Sequence, residues 1–358
     1  MAALAAVLAG CGGGAGKRAT TQPGYNVSKP PVARAVGPGN GESGAAGVAA
    51  GRGVARGPLV GISDQDPDTF ADPRFKGLGI RYARLITPWD SMRTEPDRLD
   101  GWLQAARAAG VQPLVAFNHS RVDLCPAKPC RLPSPADYRA QFTAFHLKYP
   151  WVRDVEPWNE ANHQSQPTGR NPKRAAQYYN VVRSICHGCT IVAADVLDSP
   201  NLKHWLGAFK KAAKGKPRLW GLHNYTDTNR FRSAGTKTML KLVKGTVWLT
   251  ETGGIVSFTT STGKIALKPN ETRARRAIDF LFRLARSTPR IARVYVYQWR
   301  RTGSGDRFDA GLVAPNGTPR ASLLALRRQL GLPPANLTLS GVPPSGAPAV
   351  DPGAPPAG

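Results

Sequence analysis

The sequence predicts an α/β chain that closes as a single (β/α)8 (TIM) barrel over residues 58–332, between a disordered N-terminal linker and a disordered C-terminal tail. Three observations carry this reading. Short runs of β-branched and aromatic residues alternate with helical patterns throughout that span, the signature of βα units around a parallel sheet. Eight such runs can be counted, the number that closes most economically into a barrel. No glycine-rich phosphate turn follows the first run, which disfavours the open doubly wound sheet as the alternative.

The elements follow in order. Strands are expected at 58–63, 82–87, 112–118, 153–158, 190–196, 218–224, 246–250 and 292–299. Between them Leu99, Trp102, Leu103 and Ala106 recur at helical spacing and Gly110 stops the run. Ser134-Pro135 supplies a cap and an N1 proline to a helix whose inward stripe is Tyr138, Phe142 and Phe145. Helical patterns recur at 172–185, 201–213 and 272–287, and more weakly at 235–243. Thr318-Pro319 is expected to open a last helix with Leu323, Leu326 and Leu330, before Gly331.

The flanks differ in composition. Residues 12–57 hold 13 Gly and 4 Pro among 46 and read as a flexible linker. Residues 333–358 are Pro, Gly or Ala at 17 of 26 positions and read as a disordered tail. Residues 1–11 form a short apolar run ending in Leu8-Ala9-Gly10-Cys11, which resembles a bacterial lipobox and implies lipidation at Cys11. The expected location is extracellular or at the cell surface, with the membrane touched only through that anchor. No run of 18 apolar residues is present to cross a bilayer.

With 49 Lys and Arg against 23 Asp and Glu the chain carries +26, and residues 58–332 alone keep +22. These cations are spread through every helix without interleaved aromatics, so a nucleic-acid partner is not expected. Hydrophobic residues make up 41% of the chain and eight are Trp, which excludes collagen-like and disordered classes.

Apart from Cys11, the cysteines fall in two close pairs, Cys125/Cys130 and Cys186/Cys189. Such spacings also suit a zinc site or a redox pair. The first pair follows the third strand on one rim and the second precedes the fifth strand on the other, so they cannot share one ion. The CxxC also ends a helix, where the dipole disfavours a thiolate. Two local disulfides are therefore expected.

A closed barrel keeps its chemistry at the C-terminal ends of its strands. Those ends carry Asp64 and Gln65, Trp89, Asn118 and His119, Asn159 and Glu160, His223 and Tyr225, Glu251, and Trp299. Glu160 closes the fourth strand in Val155-Glu156-Pro157-Trp158-Asn159-Glu160, and Glu251 closes the seventh in Leu249-Thr250-Glu251-Thr252-Gly253. Strands four and seven lie across the mouth, so the two carboxyl groups can face each other over a sugar ring.

Here residues 58–331 resemble clan A glycoside hydrolases, the retaining barrel enzymes that include families 5 and 39. The resemblance implies that Glu160 is the acid/base, that Asn159 holds the sugar 2-hydroxyl and that Glu251 is the nucleophile. It extends to Arg84 on the second strand, to His223-Asn224-Tyr225 on the sixth and to Trp299 on the eighth. Arg84 and the Tyr225 hydroxyl would favour an ionised Glu251, leaving Glu160 as the proton donor. Trp299 is expected as a sugar platform, with Asn118 and Trp89 as further binding residues. A β-linked poly- or oligosaccharide is the implied substrate, cleaved by a monomer that needs no cofactor.

Arg121, Arg131, Arg230, Arg300, Arg301 and Arg307 in the rim loops, with Phe231 and Phe308 beside them, suggest an anionic glycan. A metal hydrolase is disfavoured: the chain has six His, none in a His-x-His on the first strand, and no carboxylate pattern supports His119, His163 and His223 as ligands. The remaining alternative is a barrel that binds glycans without cleaving them.

Overall fold

The computed structural model describes residues 57–260, 262–300 and 307–333. Cys11, the linker up to residue 56, Arg301 and the tail beyond residue 333 lie outside them. Eight parallel strands form the barrel: β1 (Leu59–Ser63), β2 (Tyr82–Pro88), β3 (Gln112–Asn118), β4 (Asp154–Glu156), β5 in two pieces (Thr190–Ile191 and Asp195–Leu197), β6 (Leu219–His223), β7 (Thr246–Thr252) and β8 (Ile291–Tyr297). Strand β8 pairs with β1. The first piece of β5 pairs with β4 and the second with β6, so the strand interrupted at 192–194 closes the circle. Its interruption is tied on both sides, by Val192 N–H to the Val155 carbonyl at 2.9 Å and by Gly221 N–H to the Ala194 carbonyl at 2.9 Å.

The helices that surround the barrel are α1 (Pro73–Lys76), α2 (Pro96–Ala108), α3 (Pro135–Lys148), α4 (Pro172–Ile185), α5 (Leu202–Ala212), α6 (Ala234–Leu242), α7 (Glu271–Arg286) and α8 (Ala321–Gln329), with two further short helices, Ser91–Thr94 and Tyr225–Asn229, in the loops after β2 and β6. Leu99, Trp102, Leu103 and Ala106 are buried on α2 as their spacing requires. On α3 the Ser134 hydroxyl accepts the Asp137 N–H, satisfying an otherwise orphaned donor of the first turn. Helix α8 starts later than Thr318-Pro319 suggests. Pro319 bridges back to Val313, and Arg320 takes the N-cap position with its guanidinium held in a fork by Asp309, so the turn is extended until that ion pair is made.

Both cysteine pairs are disulfides, with Cα separations of 4.7 Å for Cys125–Cys130 and 5.4 Å for Cys186–Cys189. The first pins the loop after β3, at the mouth. The second joins α4 to β5 at the opposite end. Among the described residues no helix is long and apolar enough to cross a membrane.

Two shells of side chains make the core. Outward-facing Ala83, Leu85, Val115, Phe117, Val155, Val294 and Val296 meet the helices. Inside the barrel Leu114, Val192, Trp248 and Tyr295 form an apolar layer. Below it Arg293 lies 3.8 Å from the Trp248 ring centroid and donates to Asp154 at 2.6 Å, so its charge is paired and stacked rather than left bare. Gly61 on β1 makes room for this layer, since a Cβ there would sit 2.5 Å from the Tyr295 ring.

Replacing Gly61 with Ala must displace a fully buried ring and should lower stability by about 1–3 kcal/mol. Gly101→Ala, in open space on α2, should instead raise it by roughly 0.5–1 kcal/mol. Denaturant unfolding of the two variants checks this; a Gly61→Ala protein as stable as the parent contradicts the packing described.

Candidate active site

The mouth is built where three strands depart from regular geometry. On β7 one extra residue is accommodated between Leu249 and Thr252 relative to β8, and between Trp248 and Glu251 relative to β6. Strict alternation would send Glu251 outward after the inward Thr250. The bulge turns both toward the axis, as bulges beside active sites commonly do. On β5 Ala193 and Ala194 both pack in the outer shell, which breaks alternation from Val192 and brings Asp195 inward. After β4, Glu160 has φ of +47°. This left-handed conformation is unfavourable for a residue with a side chain, and such strain clusters at functional sites.

Arg84 sits at the centre, fully buried. Its Nε donates to Glu156 at 2.8 Å and one terminal nitrogen to Glu251 Oε2 at 2.8 Å. The other donates to Asn159 Oδ1 at 2.6 Å and Asp195 Oδ2 at 2.9 Å. Only a planar guanidinium can reach four acceptors in one layer. His223 lies beside it, with Nε2 2.9 Å from Asp195 Oδ2 and Nδ1 3.3 Å from Glu160 Oε1. The Tyr225 hydroxyl donates to Glu251 Oε1 at 3.1 Å. One oxygen of Glu160, one of Glu251 and a ring nitrogen of His223 all lie within 4.8 Å of one another.

Asp195 accepts from Arg84 and from the Thr250 hydroxyl at 2.5 Å, and the Glu160 backbone N–H reaches it at 3.4 Å. Gly221 opposite leaves the space, since a Cβ there would sit 2.5 Å from Asp195 Oδ1.

Charge is balanced within this buried layer. Burial alone would raise the Asp195 carboxyl, but His223 and Arg84 hold it down at about 2. The His223 imidazole is held up at about 10, where Asp195 and Glu251 outweigh the burial that opposes its charge. Burial lifts Glu156 to about 8 despite the opposing pull of Arg84. Burial also raises Glu251 above the ordinary carboxylate range, against the pull of His223 and Arg84.

Arg84, Asn159, Glu160, His223, Tyr225 and Glu251 thus come together. Trp299 does not join them. It is 1% exposed, packs edge-on against Phe75 at 5.7 Å, and donates its indole N–H to Asp72 at 3.1 Å. Its backbone N–H is held by Asp64 at 2.7 Å, so the ring turns toward α1 and away from the mouth. Tyr297, two residues earlier, lies instead in a cluster with Tyr225, Ile255, Phe258 and Phe308 beside Glu251. Trp89 is half-buried on the outer core, and its N–H bonds the Asn118 carbonyl at 2.9 Å. The Asn118 amide donates to the Thr87 and His119 carbonyls, so it splices β2 to β3 rather than joining the charged cluster.

Of the rim arginines, Arg121 pairs with Glu95, Arg131 with Asp123 and Arg300 with Asp72. Arg230 and Arg307 are exposed and make no ion pair among the described residues. Phe231 stacks under Arg276 on α7, and Phe308 is buried in the aromatic cluster. Sequence reasoning missed Glu156 and Asp195. The readable signal was a carboxylate within each of two short strands, Glu156 beside Val155 on β4 and Asp195 before Val196 and Leu197 on β5.

A raised histidine pKa stabilises the fold fully below about 6.5, the ordinary value, and the stabilisation fades as pH approaches 10. The stability lost in His223→Asn should therefore be largest near pH 6 and narrower at pH 10 by more than about 1.4 kcal/mol, the worth of one pKa unit. Chemical unfolding of parent and variant at both pH values measures it; a gap that stays constant or widens contradicts a protonated His223.

A family model described as glycosyl hydrolase catalytic core matches residues 144–324, just over half of the chain. Solved structures with a similar fold include a family 39 glycoside hydrolase from the gut symbiont Bacteroides cellulosilyticus WH2, at 15% identity and a TM-score of 0.54, covering 77% of this chain and 64% of that one. A GH5_18 structure from Streptomyces cattleya in complex with GlcNAc aligns at 15% identity and 0.52, covering 79% and 82%. A GH10 endoxylanase retrieved from a sugarcane soil metagenome aligns at 12% and 0.53, covering 76% and 97%. No curated protein sequence matches. With the family model spanning the segment that holds Glu160, Asp195, His223 and Glu251, the chain belongs to the glycosyl hydrolase catalytic core family and is a glycoside hydrolase built on a (β/α)8 barrel.

Proposed function

We propose that the protein cleaves β-glycosidic bonds with retention of configuration, by double displacement. The observation that carries this reading is the placement of Glu160 and Glu251 with oxygens within 4.8 Å of one another across His223. Retaining enzymes keep their carboxyl groups about 5–5.5 Å apart, and inverting ones leave room for a water. Glu251 is the nucleophile: Arg84 and Tyr225 each hold one of its oxygens, which fixes the carboxylate plane and favours its ionised form. Glu160 is the acid/base, and Asn159, held by Arg84, presents its amide to the sugar 2-hydroxyl.

In the first step Glu251 attacks the anomeric carbon, the bond to the leaving oxygen breaks, and that oxygen takes the Glu160 proton. In the second, Glu160 removes a proton from water, whose oxygen displaces Glu251 from the glycosyl ester. Negative charge thus moves from the side of Arg84 to the side of His223 and back. Both cations are fixed and buried, so the transfer needs little reorganisation. Tyr225, which donates to Glu251, clusters with Tyr297 and Phe308, and this aromatic group suits a sugar's apolar face in place of Trp299. Arg230 and Arg307 remain available for carboxylates or sulfates on the glycan, which supports an anionic substrate.

Glu251→Ala should lower turnover by at least ~1,000-fold, and an activated fluoro-sugar should label Glu251 in the parent's mass spectrum. An inverted first product contradicts retention. Glu160→Ala should damage aryl glycosides with poor leaving groups far more than those with good ones, and azide should restore part of the activity. Equal loss across leaving groups without rescue places the proton transfer elsewhere. A uronic-acid polymer should be cleaved or bound in preference to its carboxyl-reduced counterpart; no preference contradicts an anionic substrate.

A further inference from the structure

The end of the barrel opposite the mouth carries charge that the chemistry does not use. Residues 208–218 and 241–246 contain seven Lys and Arg and no carboxylate. Six of these seven are Lys, in a chain with 33 Arg and only 16 Lys. Helices run antiparallel to the strands, so the C-terminal ends of α5 and α6 and the loops into β6 and β7 lie at the barrel base.

Lys211, Lys214, Lys216, Arg218, Lys241 and Lys244 gather there, all exposed and none in an ion pair among the described residues. The two loops are joined. Lys210 Nζ donates to the Leu242 carbonyl at 2.6 Å, and the Thr246 N–H to the Arg218 carbonyl at 2.7 Å. The chain reaches β1 at this same end: Gly57 lies against Arg286, whose guanidinium bonds Gln329 at the end of α8.

We infer that this base docks on an anionic phospholipid bilayer, holding the mouth away from the membrane. Lysines suit a headgroup layer because their compact charges ride on flexible stems and need no fixed partner geometry. A single-stranded nucleic acid fits poorly, since it needs stacking platforms. The only exposed aromatic among the described residues is Phe231, which follows β6 on the mouth side. The sequence signal at Cys11 would place a lipid anchor on the segment that arrives at this face. A basic surface at the end where that segment arrives would fix which face of the barrel meets the bilayer. Each Lys close to an anionic leaflet strengthens binding about fivefold, and the attraction fades beyond a Debye length of about 8 Å at physiological salt.

The test uses the full chain carrying Cys11→Ser, so that no lipid contributes. It is co-sedimented with vesicles of phosphatidylcholine alone or of three parts phosphatidylcholine to one part phosphatidylglycerol. Binding to the anionic vesicles only, lost in roughly 1 M salt where the Debye length is about 3 Å, is expected. Lys211→Gln, Lys214→Gln, Lys216→Gln and Lys244→Gln together should weaken it by on the order of 100-fold or more. Arg93→Gln, Arg170→Gln, Lys173→Gln and Lys264→Gln, which remove equal charge away from the base, should leave binding within a few-fold. Both variants should keep the parent's unfolding midpoint and its turnover of an aryl glycoside. No binding to anionic vesicles, equal loss in both variants, or binding of the base to a soluble uronic-acid polymer but not to vesicles would each overturn the inference.

Discussion

The arrangement at the mouth depends on one buried guanidinium. Arg84 contacts Glu156, Asn159, Asp195 and Glu251, four acceptors supplied by β4, β5, β7 and the loop after β4. A charge this deep is costly unless it is paired and hydrogen-bonded. That requirement explains why the layer is rich in carboxyl groups, among which burial pushes Glu156 toward its neutral form. With Arg84 and His223 positive and Asp195 negative, one further anion completes neutrality. Glu251, in direct contact with Arg84, is placed to supply it.

The second constraint is backbone geometry. A regular barrel sends alternate residues inward and fills the interior with apolar layers, as the layer of Leu114, Val192, Trp248 and Tyr295 does here. Above that layer alternation fails on β5 and β7, and the chain after β4 turns left-handed at Glu160. Each irregularity aims one more polar side chain at the axis. Asp195, turned inward by the β5 irregularity, meets the other two at the Glu160 backbone and at Thr250 on the bulge, and also accepts from Arg84. The apolar layer beneath and the aromatic cluster beside it exclude water, so these contacts act in a low dielectric.

Much of this was legible in the sequence. Strands were found because parallel barrel strands are short, β-branched and bounded by turn residues. Glu160 and Glu251 stand out in the sequence because one follows a short strand and the other sits near the end of one. Glu156 and Asp195 were passed over because a carboxylate inside a buried strand conflicts with the apolar pattern, and nothing local announces a partner from β2. The β7 bulge is likewise silent in the sequence, being set by pairing with β6 and β8. Trp299 was placed at the mouth because it follows β8, but its orientation is decided by Asp64 and Asp72 from the first βα unit. Long-range partners, which spacing along the chain does not reveal, account for each of these differences.

Arg84→Lys tests the central role of Arg84 most directly, since lysine keeps the charge but loses the fork. The acid limb of the kcat/KM profile reports ionisation in the free enzyme, which the proposed mechanism assigns to Glu251. The account predicts that the limb moves to higher pH, as Glu251 loses its fixed cation, and that kcat/KM at the optimum falls by about 100-fold or more. An unchanged acid limb with near-parental kcat/KM would show that Glu251 is poised without Arg84, and would contradict the account.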